Sequence, residues 1–281
     1  VDRDQLVNDF ISEEYYEIYA KFPSFETELS RYLDKVPKIS TSEKADEIIQ
    51  SLINPMTVES IETKKRSFES KPPFITSTLQ QDASNKLGFN STKTMQIAQK
   101  LYEGIDCGNE TVGLITYMRT DSNRMSKTFI DSACEFIEST YGKQYLGTPK
   151  QQNKSNNVQD AHEAIRPTDI FRTPEKIKLY LSKDEYSLYQ MIYARAVASL
   201  MKPSLRDVTT LLLRSGDALF KATASKLVFD GYLKIYSKFE TAEEQDKKEL
   251  PPLQVGEKLT ALEITKKQRS EEHTSELQSR I

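Results

Sequence analysis

Apolar residues in the middle of this chain recur at spacings of three and four, which is the pattern of helices with one buried face. The clearest case is residues 126–141, where Ser126 is in the position of an N-cap. A longer apolar pattern lies within residues 176–201 and is interrupted by Arg195. A charge in such a stripe should find a carboxylate or a phosphate, and an internal ion pair is the favoured partner. Shorter helices are predicted at residues 2–10 and 45–52.

Alternating, β-branched and aromatic residues predict strands in two groups, one on each side of the helical middle. Gly216 and Gly231 are expected at turns within the second group. This distribution predicts an α+β protein with strand-rich segments towards both ends of the sequence. The predicted strands are residues 14–20 and 56–68 in the first group, and 208–213, 219–224, 227–229, 233–237 and 258–264 in the second.

Residues 74–122 are predicted to form two helices followed by a strand, an order that suits a winged-helix-like unit. Ser77 is the expected N-cap of the first helix, with Gln80 completing a capping box, and Gly88 is expected to end that helix. The strand that follows carries Tyr117. The residues expected to face the core are Leu79, Ala83 and Leu87 in the first helix, and Met95, Ala98, Leu101 and Tyr102 in the second.

The composition is that of ordinary soluble domains, with 281 residues of which 37% are hydrophobic and 29% charged. No apolar run approaches the roughly 20 residues that span a bilayer, so a cytoplasmic protein without membrane contact is expected. Cys107 and Cys134 lack metal-binding spacing and are expected as free thiols. The net charge of −3 argues against a nucleic-acid partner, unless DNA lies in a local groove. The basic run at residues 64–66 could line such a groove, although a solvated face is favoured.

The candidate chemistry is concentrated in residues 113–122, Gly-Leu-Ile-Thr-Tyr-Met-Arg-Thr-Asp-Ser. The phenol of Tyr117 could attack a phosphorus centre, but a free phenol has a pKa of ~10 and needs a nearby cation or base. Arg119 would share the face of a strand with Tyr117, and its planar guanidinium suits a phosphate. The ordinary alternative is a half-buried tyrosine at a strand end followed by a polar turn, and chemistry alone favours that alternative.

Three stretches resemble the motifs of type IA DNA topoisomerases, which cleave one DNA strand through a tyrosine. They are residues 113–122, residues 73–81 (Pro-Phe-Ile-Thr-Ser-Thr-Leu-Gln-Gln) and residues 159–167 (Gln-Asp-Ala-His-Glu-Ala-Ile-Arg-Pro). Their order and spacing are also similar to those of the family. Met118 resembles the bacterial topoisomerase I branch, because topoisomerase III relatives usually carry proline at that position. The resemblance extends over about residues 1–268.

The resemblance implies a reversible transesterification in which Tyr117 becomes joined to a 5′-phosphate of DNA. A second strand would pass through the gap, and the free 3′-hydroxyl would then reseal the break. Arg119 and His162 would be the other catalytic residues, each stabilising charge on the phosphate. A lone histidine is more often structural, and only the resemblance reverses that interpretation for His162.

Residues 160–165 are expected as a short helical turn, which would point His162 and Arg166 in the same direction. Glu163 either orients His162 or pairs with Arg166, and the sequence does not decide between these roles. Further DNA contacts follow from the resemblance, although capping is the ordinary role for Ser77. The residues expected to bind DNA are Thr76, Ser77, Thr78, Gln80, Thr120, Asp121, Ser122 and Arg166.

The resemblance also implies partners and cofactors. The substrate would be single-stranded or negatively supercoiled DNA, bound by a monomer associated with the nucleoid. The reaction would use Mg²⁺ but no ATP, since the energy of the broken bond is kept in the phosphotyrosine. The Mg²⁺ ligands are expected in an N-terminal domain outside this sequence, and no metal ligand is assigned within it. The chain alone is expected to bind single-stranded DNA weakly and not to relax plasmids.

The implied architecture is a helical, winged-helix-like domain that carries the tyrosine and is inserted in a strand-rich hinge, or gate, domain. Residues 269–281 have no apolar periodicity and are interpreted as a non-native sequencing-adaptor tail. The expected divisions are residues 1–72 for the end of a DNA-binding helical domain and the first hinge arm, 73–170 for the catalytic tyrosine domain, and 171–268 for the returning β-rich arm.

Three other classes of protein remain as alternatives at this point. A non-catalytic winged-helix module would prefer double-stranded DNA and form no covalent adduct. A structural hinge or interaction protein would not bind DNA even at low salt. A tyrosine recombinase or type IB topoisomerase would need several arginine and histidine residues around its tyrosine. That last alternative is disfavoured, because His162 is the only credible histidine once the tail is set aside.

Overall fold

The computed structural model describes residues 14–148, 162–240 and 249–270. These residues form two compact units. The strand unit holds residues 14–65, 207–226 and 249–270, and the helical unit holds residues 66–148, 162–206 and 227–240. The expected divisions at residues 72 and 170 therefore both fall inside the helical unit. The predicted helix at residues 2–10 lies outside the described ranges.

Helices and strands both contribute to the fold, as the predicted α+β class requires. The strands are β1 (Glu14–Lys21), β2 (Glu26–Tyr32), β3 (Met56–Phe68), β4 (Ile105–Asp106), β5 (Thr111–Val112), β6 (Ser204–Ser215), β7 (Ala218–Phe229), β8 (Lys258–Leu259) and β9 (Glu263–Ser270). The helices are α1 (Ser42–Ser51), α2 (Thr76–Leu87), α3 (Ser91–Glu103), α4 (Lys127–Tyr141), α5 (Pro174–Ile177), α6 (Lys183–Ala198) and α7 (Leu233–Tyr236).

Seven strands form one sheet in the order β8-β3-β6-β7-β2-β1-β9. β1 and β9 pair antiparallel along their whole length, from Glu14 opposite Ser270 to Lys21 opposite Glu263. β9 therefore includes residues 269 and 270, which the sequence assigned to a tail, and residues 271–281 lie outside the described ranges. β2 was not predicted, whereas β1, β3 and β6 lie where strands were expected.

The strand unit has its own apolar core between the sheet and α1. Alternation along β1 buries Ile18 and Ala20 completely, so this face of the sheet contributes to the core. α1 adds Ala45 and Ile48 to the same cluster. Other fully or nearly fully buried members are Met56, Val58, Leu211, Leu213, Ala218 and Phe220.

Local signals set most helix ends in the helical unit. Gly88 follows α2 with φ +69°, and its N–H donates to the carbonyl groups of Ala83 and Ser84. Ser126 caps α4 as predicted, because its hydroxyl accepts the Phe129 N–H at 3.3 Å. These contacts satisfy backbone groups that have no partner within their own helix.

The start of α2 differs from the prediction. The helix begins at Thr76, so Ser77 lies in the first turn and is not the N-cap. Ile75 is in the cap position, and its N–H donates to the hydroxyl of Thr78 at 3.1 Å. Thr76 Oγ1 is bonded to residues of another segment, which only the folded chain brings near. The capping box predicted with Gln80 is therefore wrong.

A helix, α7, replaces the strand predicted at residues 233–237. Gly231 lies at a turn before it as expected, with φ +50°, and a Cβ there would lie 2.3 Å from the Pro203 carbonyl oxygen. Leu233 and Tyr236 are both buried. Their separation of three residues is the period of a helix and not that of a strand.

A buried ionic cluster joins three helices of the helical unit. Arg195 on α6 is 3% exposed, and its Nη1 lies 3.3 Å from Oδ2 of Asp82 on α2. Nζ of Lys86 lies 3.1 Å from the same oxygen, and the Tyr236 hydroxyl donates to it at 3.4 Å. Burial raises the pKa of Tyr236, so its hydroxyl keeps the proton that it donates. The internal ion pair predicted for Arg195 is confirmed.

We expect Asp82→Asn to lower the free energy of unfolding of the helical unit by about 3–5 kcal/mol, because a buried pair that loses one partner leaves an uncompensated charge. Arg195 and Lys86 would then be two cations around a neutral amide. Urea unfolding followed by circular dichroism measures the change. Asp131→Asn is the control, since Asp131 pairs with Lys127 at an exposed site and should not move the midpoint. Equal midpoints for Asp82→Asn and the unsubstituted chain would contradict the expectation.

Candidate active site

Tyr117 lies in an irregular segment and not in the strand predicted for it. The nearest bridge joins Ile115 to Pro167, two residues before Tyr117. The strand-face argument that placed Arg119 beside Tyr117 therefore does not apply. On both sides of Tyr117 the chain is bonded to separate segments of the helical unit. These bonds take the place of the strand pairing that was predicted.

Thr116, the residue before Tyr117, is anchored to the segment at residues 164–166. The Thr116 N–H donates to the Arg166 carbonyl at 3.0 Å. Its hydroxyl accepts the Arg166 N–H at 3.0 Å and donates to the Ala164 carbonyl at 2.6 Å. These bonds hold the third motif against the first.

Thr76 anchors the residues after Tyr117. Its hydroxyl lies 2.8 Å from the Met118 carbonyl and 3.0 Å from the Thr120 carbonyl. The hydroxyl also accepts the Thr120 N–H at 2.9 Å. The second motif is thereby bonded to the first, so all three motifs meet around Tyr117.

Gly113 permits a close approach to the end of α3. The Leu114 N–H donates to the Leu101 carbonyl at 2.7 Å. A Cβ on Gly113 would lie 2.5 Å from the carbonyl oxygen of Tyr102, closer than side-chain atoms approach backbone oxygen. A glycine is thus required where the segment carrying Tyr117 passes against the end of α3.

Tyr117 is 38% exposed, and its ring lies close to two other rings. Its centroid is 5.4 Å from that of Tyr102 at an interplanar angle of 63°, and 5.8 Å from that of His162 at 35°. Tyr102 was predicted to face the core but is 40% exposed. Sequence reasoning missed Tyr102 as part of this site, because helical periodicity alone placed it inward.

His162 is exposed and lies beside Tyr117 as the resemblance implied, but not on a helical turn. Residues 162–164 have no regular structure, and Ile165 forms a bridge with Phe74. The expected four-residue helical spacing between His162 and Arg166 is therefore wrong. The bridge draws this segment into an extended path, and Asp160 lies outside the described residues.

Arg166 is buried, and each of its three guanidinium nitrogens has a partner within the protein. Nε donates to Oε2 of Glu163 at 2.7 Å, Nη1 donates to the Pro167 carbonyl at 2.8 Å, and Nη2 lies 2.6 Å from the same Glu163 oxygen. Cζ lies 4.3 Å from the ring centre of Phe129. Glu163 also accepts the Ser126 N–H at 3.0 Å. The role left open for Glu163 is thus the pairing with Arg166.

Arg119 and Asp121 are exposed. Within residues 14–148, 162–240 and 249–270, neither forms an ion pair. A guanidinium in this state offers its donors to a ligand, and its planar fork suits two phosphate oxygens. The segment following Tyr117 therefore carries one exposed cation and one exposed carboxylate.

Thr120 and Ser122 are buried, at 8% and 6% exposure. The hydroxyl of Thr120 accepts the Ser122 N–H at 3.0 Å, and that of Ser122 accepts the Arg124 N–H at 3.2 Å. Their hydroxyls thus shape the turn that follows Tyr117. Among the residues at the start of α2, Ser77 is exposed, while Thr78 and Gln80 are half-buried.

The described residues contain no cluster of three or more His, Cys, Asp or Glu side chains that could hold a metal ion. Cys107 and Cys134 are free and half-buried, and burial raises the pKa of each thiol. None of the described helices is both long and apolar enough to cross a bilayer.

Comparison with known proteins gives consistent matches. A family model described as DNA topoisomerase matches residues 1–279. DNA topoisomerase 1 of Rickettsia prowazekii (strain Madrid E) is 42% identical over 277 residues, and that of Rickettsia typhi (strain ATCC VR-144 / Wilmington) is 40% identical. Full-length topoisomerase I from Thermotoga maritima has a similar structure, with a TM-score of 0.76, 36% identity, and coverage of 96% of this chain and 43% of that chain.

The structural match shows that this chain has the topoisomerase I fold, which combines helices and strands. The chain belongs to the bacterial type IA DNA topoisomerase family, which confirms the resemblance of its three motifs. Each Rickettsia match covers 94% of this chain but 36% of the relative. The chain thus spans little more than a third of the length of these curated relatives.

Proposed function

We propose that this chain carries the nucleophile of a bacterial topoisomerase that cleaves one DNA strand and reseals it. Tyr117 Oη attacks a backbone phosphorus, and the new oxygen–phosphorus bond replaces the bond to the 3′ oxygen. The phenol loses its proton and the departing 3′ oxygen gains one, which leaves a 5′-phosphotyrosine and a 3′-hydroxyl. Attack by that hydroxyl reverses the step. The observation that carries this proposal is the exposed Tyr117 ring on a backbone anchored at both sides.

Arg119 is our choice for stabilising the negative charge that develops on the phosphate, with His162 second. Arg119 is exposed and without an ion pair among the described residues, and His162 lies beside the Tyr117 ring. A protonated imidazole stabilises charge, and a neutral one accepts or returns the phenol proton. We assign Asp121, exposed beyond Arg119, to orienting that guanidinium when DNA is bound.

The proposed substrate is single-stranded DNA, which forms readily where the duplex is negatively supercoiled. Ser77 and Gln80 are the candidate DNA contacts on α2, because Ser77 is exposed and both lie near the helix N-terminus, which attracts phosphate. Arg166 is better explained as a structural residue, since its donors are satisfied internally. We propose that the protein acts as a monomer in the bacterial cytoplasm, where it meets nucleoid DNA.

The reaction needs no ATP on this proposal, because one phosphoester is exchanged for another. The architecture we propose is a winged-helix-like tyrosine domain inserted in a strand-rich gate. Its support is the division of the chain, in which the helical unit interrupts the strand unit along the sequence. Opening of the gate would then let a second strand pass through the break.

A chimaera tests the proposal directly. In it, this chain replaces the matching segment of Rickettsia prowazekii DNA topoisomerase 1, of which it covers 36%. The chimaera is expected to relax negatively supercoiled plasmid in Mg²⁺ buffer without ATP, and to bind single-stranded oligonucleotide more tightly than duplex. Preference for duplex with no relaxation would favour a non-catalytic winged-helix module instead. A chimaera that binds neither DNA would favour an interaction protein.

A further inference from the structure

We propose that Thr76 is a positioning residue, whose hydroxyl holds the Tyr117 backbone in the geometry needed for attack. This inference rests on the proposed function of Tyr117. The sequence assigned Thr76 to DNA phosphate, but its polar groups are already used within the helical unit. The N–H of Thr76 donates to the Thr120 carbonyl at 2.9 Å, and the hydroxyl bonds Met118 and Thr120.

The hydroxyl of Thr76 is unusually well matched to its neighbours. It has one proton, shared between carbonyl groups of Met118 at 2.8 Å and Thr120 at 3.0 Å, and it accepts the Thr120 N–H at 2.9 Å. A hydroxyl is the group that donates and accepts at once. Thr76 thus fixes Met118, the neighbour of Tyr117, and also Thr120.

The segment that precedes Thr76 is held by buried contacts. Thr76 is the first residue of α2, and the Phe74 ring two residues earlier is completely buried. Cζ of Arg195 lies 4.4 Å from the centre of that ring, and Nε of Arg195 donates to the Pro72 carbonyl at 2.8 Å. The buried ionic cluster therefore holds the segment that presents Thr76 to the Tyr117 loop.

The two threonine anchors differ in what they restrain. Thr116, the residue before Tyr117, is bonded to residues 164–166, whereas Thr76 is bonded to residues that follow Tyr117. The Tyr117 ring therefore projects from a backbone held at two points. Tyr117 gains no support from a strand or helix, and loss of one anchor would let its backbone move. A misplacement of about 1 Å at a reacting group can cost ~10²-fold in rate.

The test uses Thr76→Val, which keeps the shape of the side chain but removes the hydroxyl, and Thr76→Ser, which keeps the hydroxyl. Both are made in the chimaera, with Thr92→Val as the matched control at an exposed threonine in the first turn of α3. We expect Thr76→Val to form covalent adduct about 10–100-fold more slowly at saturating oligonucleotide. The dissociation constant for uncleaved oligonucleotide should change less than about twofold, since the hydroxyl is bonded to Met118 and Thr120 within the protein. Thr76→Ser should recover most of the rate, and Thr92→Val should match the unsubstituted chimaera.

Two results would overturn the inference. One is an unchanged rate in Thr76→Val, and the other is weaker DNA binding with an unchanged rate at saturation, which would indicate a phosphate contact. Thr76→Ala replaces the valine variant if the latter does not fold.

A measurement without DNA separates this inference from the proposed function. With fluorotyrosine incorporated, the ¹⁹F signal of Tyr117 should shift or broaden in Thr76→Val and not in Thr92→Val. An unmoved signal contradicts the positioning role, whereas absence of adduct in the unsubstituted chimaera contradicts the function of Tyr117 alone.

Discussion

Tyr117→Phe should abolish DNA relaxation while leaving the fold intact. The phenylalanine ring keeps the contacts with Tyr102 and His162, whose ring centroids lie 5.4 and 5.8 Å away. Only the hydroxyl is lost, and within the described ranges that hydroxyl makes no hydrogen bond. The substitution therefore removes the nucleophile without removing a stabilising contact. Relaxation in the chimaera should fall to the assay background, since no other group replaces a missing nucleophile.

The control for this prediction is Tyr180→Phe, at a tyrosine of the helical unit that is 46% exposed. It should relax plasmid at the rate of the unsubstituted chimaera. Thermal unfolding measured on all three proteins should give the same midpoint. Relaxation that persists in Tyr117→Phe would show that another group is the nucleophile, and a lowered midpoint would show that the hydroxyl has a structural partner.

Arg119→Ala should slow adduct formation at saturating DNA by about 10²–10³-fold, the effect of removing one group aimed at developing charge. Arg119 is exposed and makes no ion pair with another described residue, so its donors are available to phosphate. Its loss should not change stability, because no buried group is left unpaired. Arg119→Lys should recover part of the rate, since an ammonium keeps the charge but not the planar fork.

Arg31→Ala serves as the matched charge control for Arg119, since Arg31 is also exposed and its removal changes net charge equally. It should leave the single-turnover rate unchanged. A rate in Arg119→Ala within threefold of the unsubstituted chimaera would exclude a role for Arg119 in stabilising charge. Equal losses in both variants would point to general electrostatic attraction of DNA.

Sequence patterns predicted those elements whose ends depend on their own residues. Gly88 and Ser126 lie where expected, because a left-handed glycine and a serine N-cap act within one turn of the helix. β3 matches its prediction at both ends, from Met56 to Phe68. In these segments the local preference and the folded structure agree.

The errors fall where another segment takes over the hydrogen bonds. Ser77 carries the usual cap signal, yet the cap position of α2 is Ile75, two residues earlier, and the next residue, Thr76, is held by Thr120. Tyr117 follows a strand-like apolar pair, but its neighbour Met118 is bonded to Thr76, and its other neighbour, Thr116, is bonded to Ala164. The partners lie more than 40 residues away in sequence, and single-residue propensities do not contain them.

The candidate site was predicted as a set of residues but not as an arrangement. The family motifs correctly brought together Tyr117 and His162, which are 45 positions apart in the sequence and adjacent in the structure. The burial of Arg166 was not predicted. Its partners Glu163 and Pro167 belong to the same motif, and the sequence does not distinguish a buried motif from an exposed one. Tyr102 was missed because helical periodicity placed its ring in the core, whereas the residue is 40% exposed.

Mapping the covalent link tests the central claim most directly. The chimaera would be incubated with end-labelled single-stranded oligonucleotide and denatured, and the DNA-bound peptide would be isolated after protease and nuclease digestion. Mass spectrometry should find a nucleotide 5′-phosphate on Tyr117, with no adduct in Tyr117→Phe. A nucleotide on Tyr102, whose ring is the neighbour of Tyr117, or on any other residue would contradict the assignment, as would an adduct that survives Tyr117→Phe.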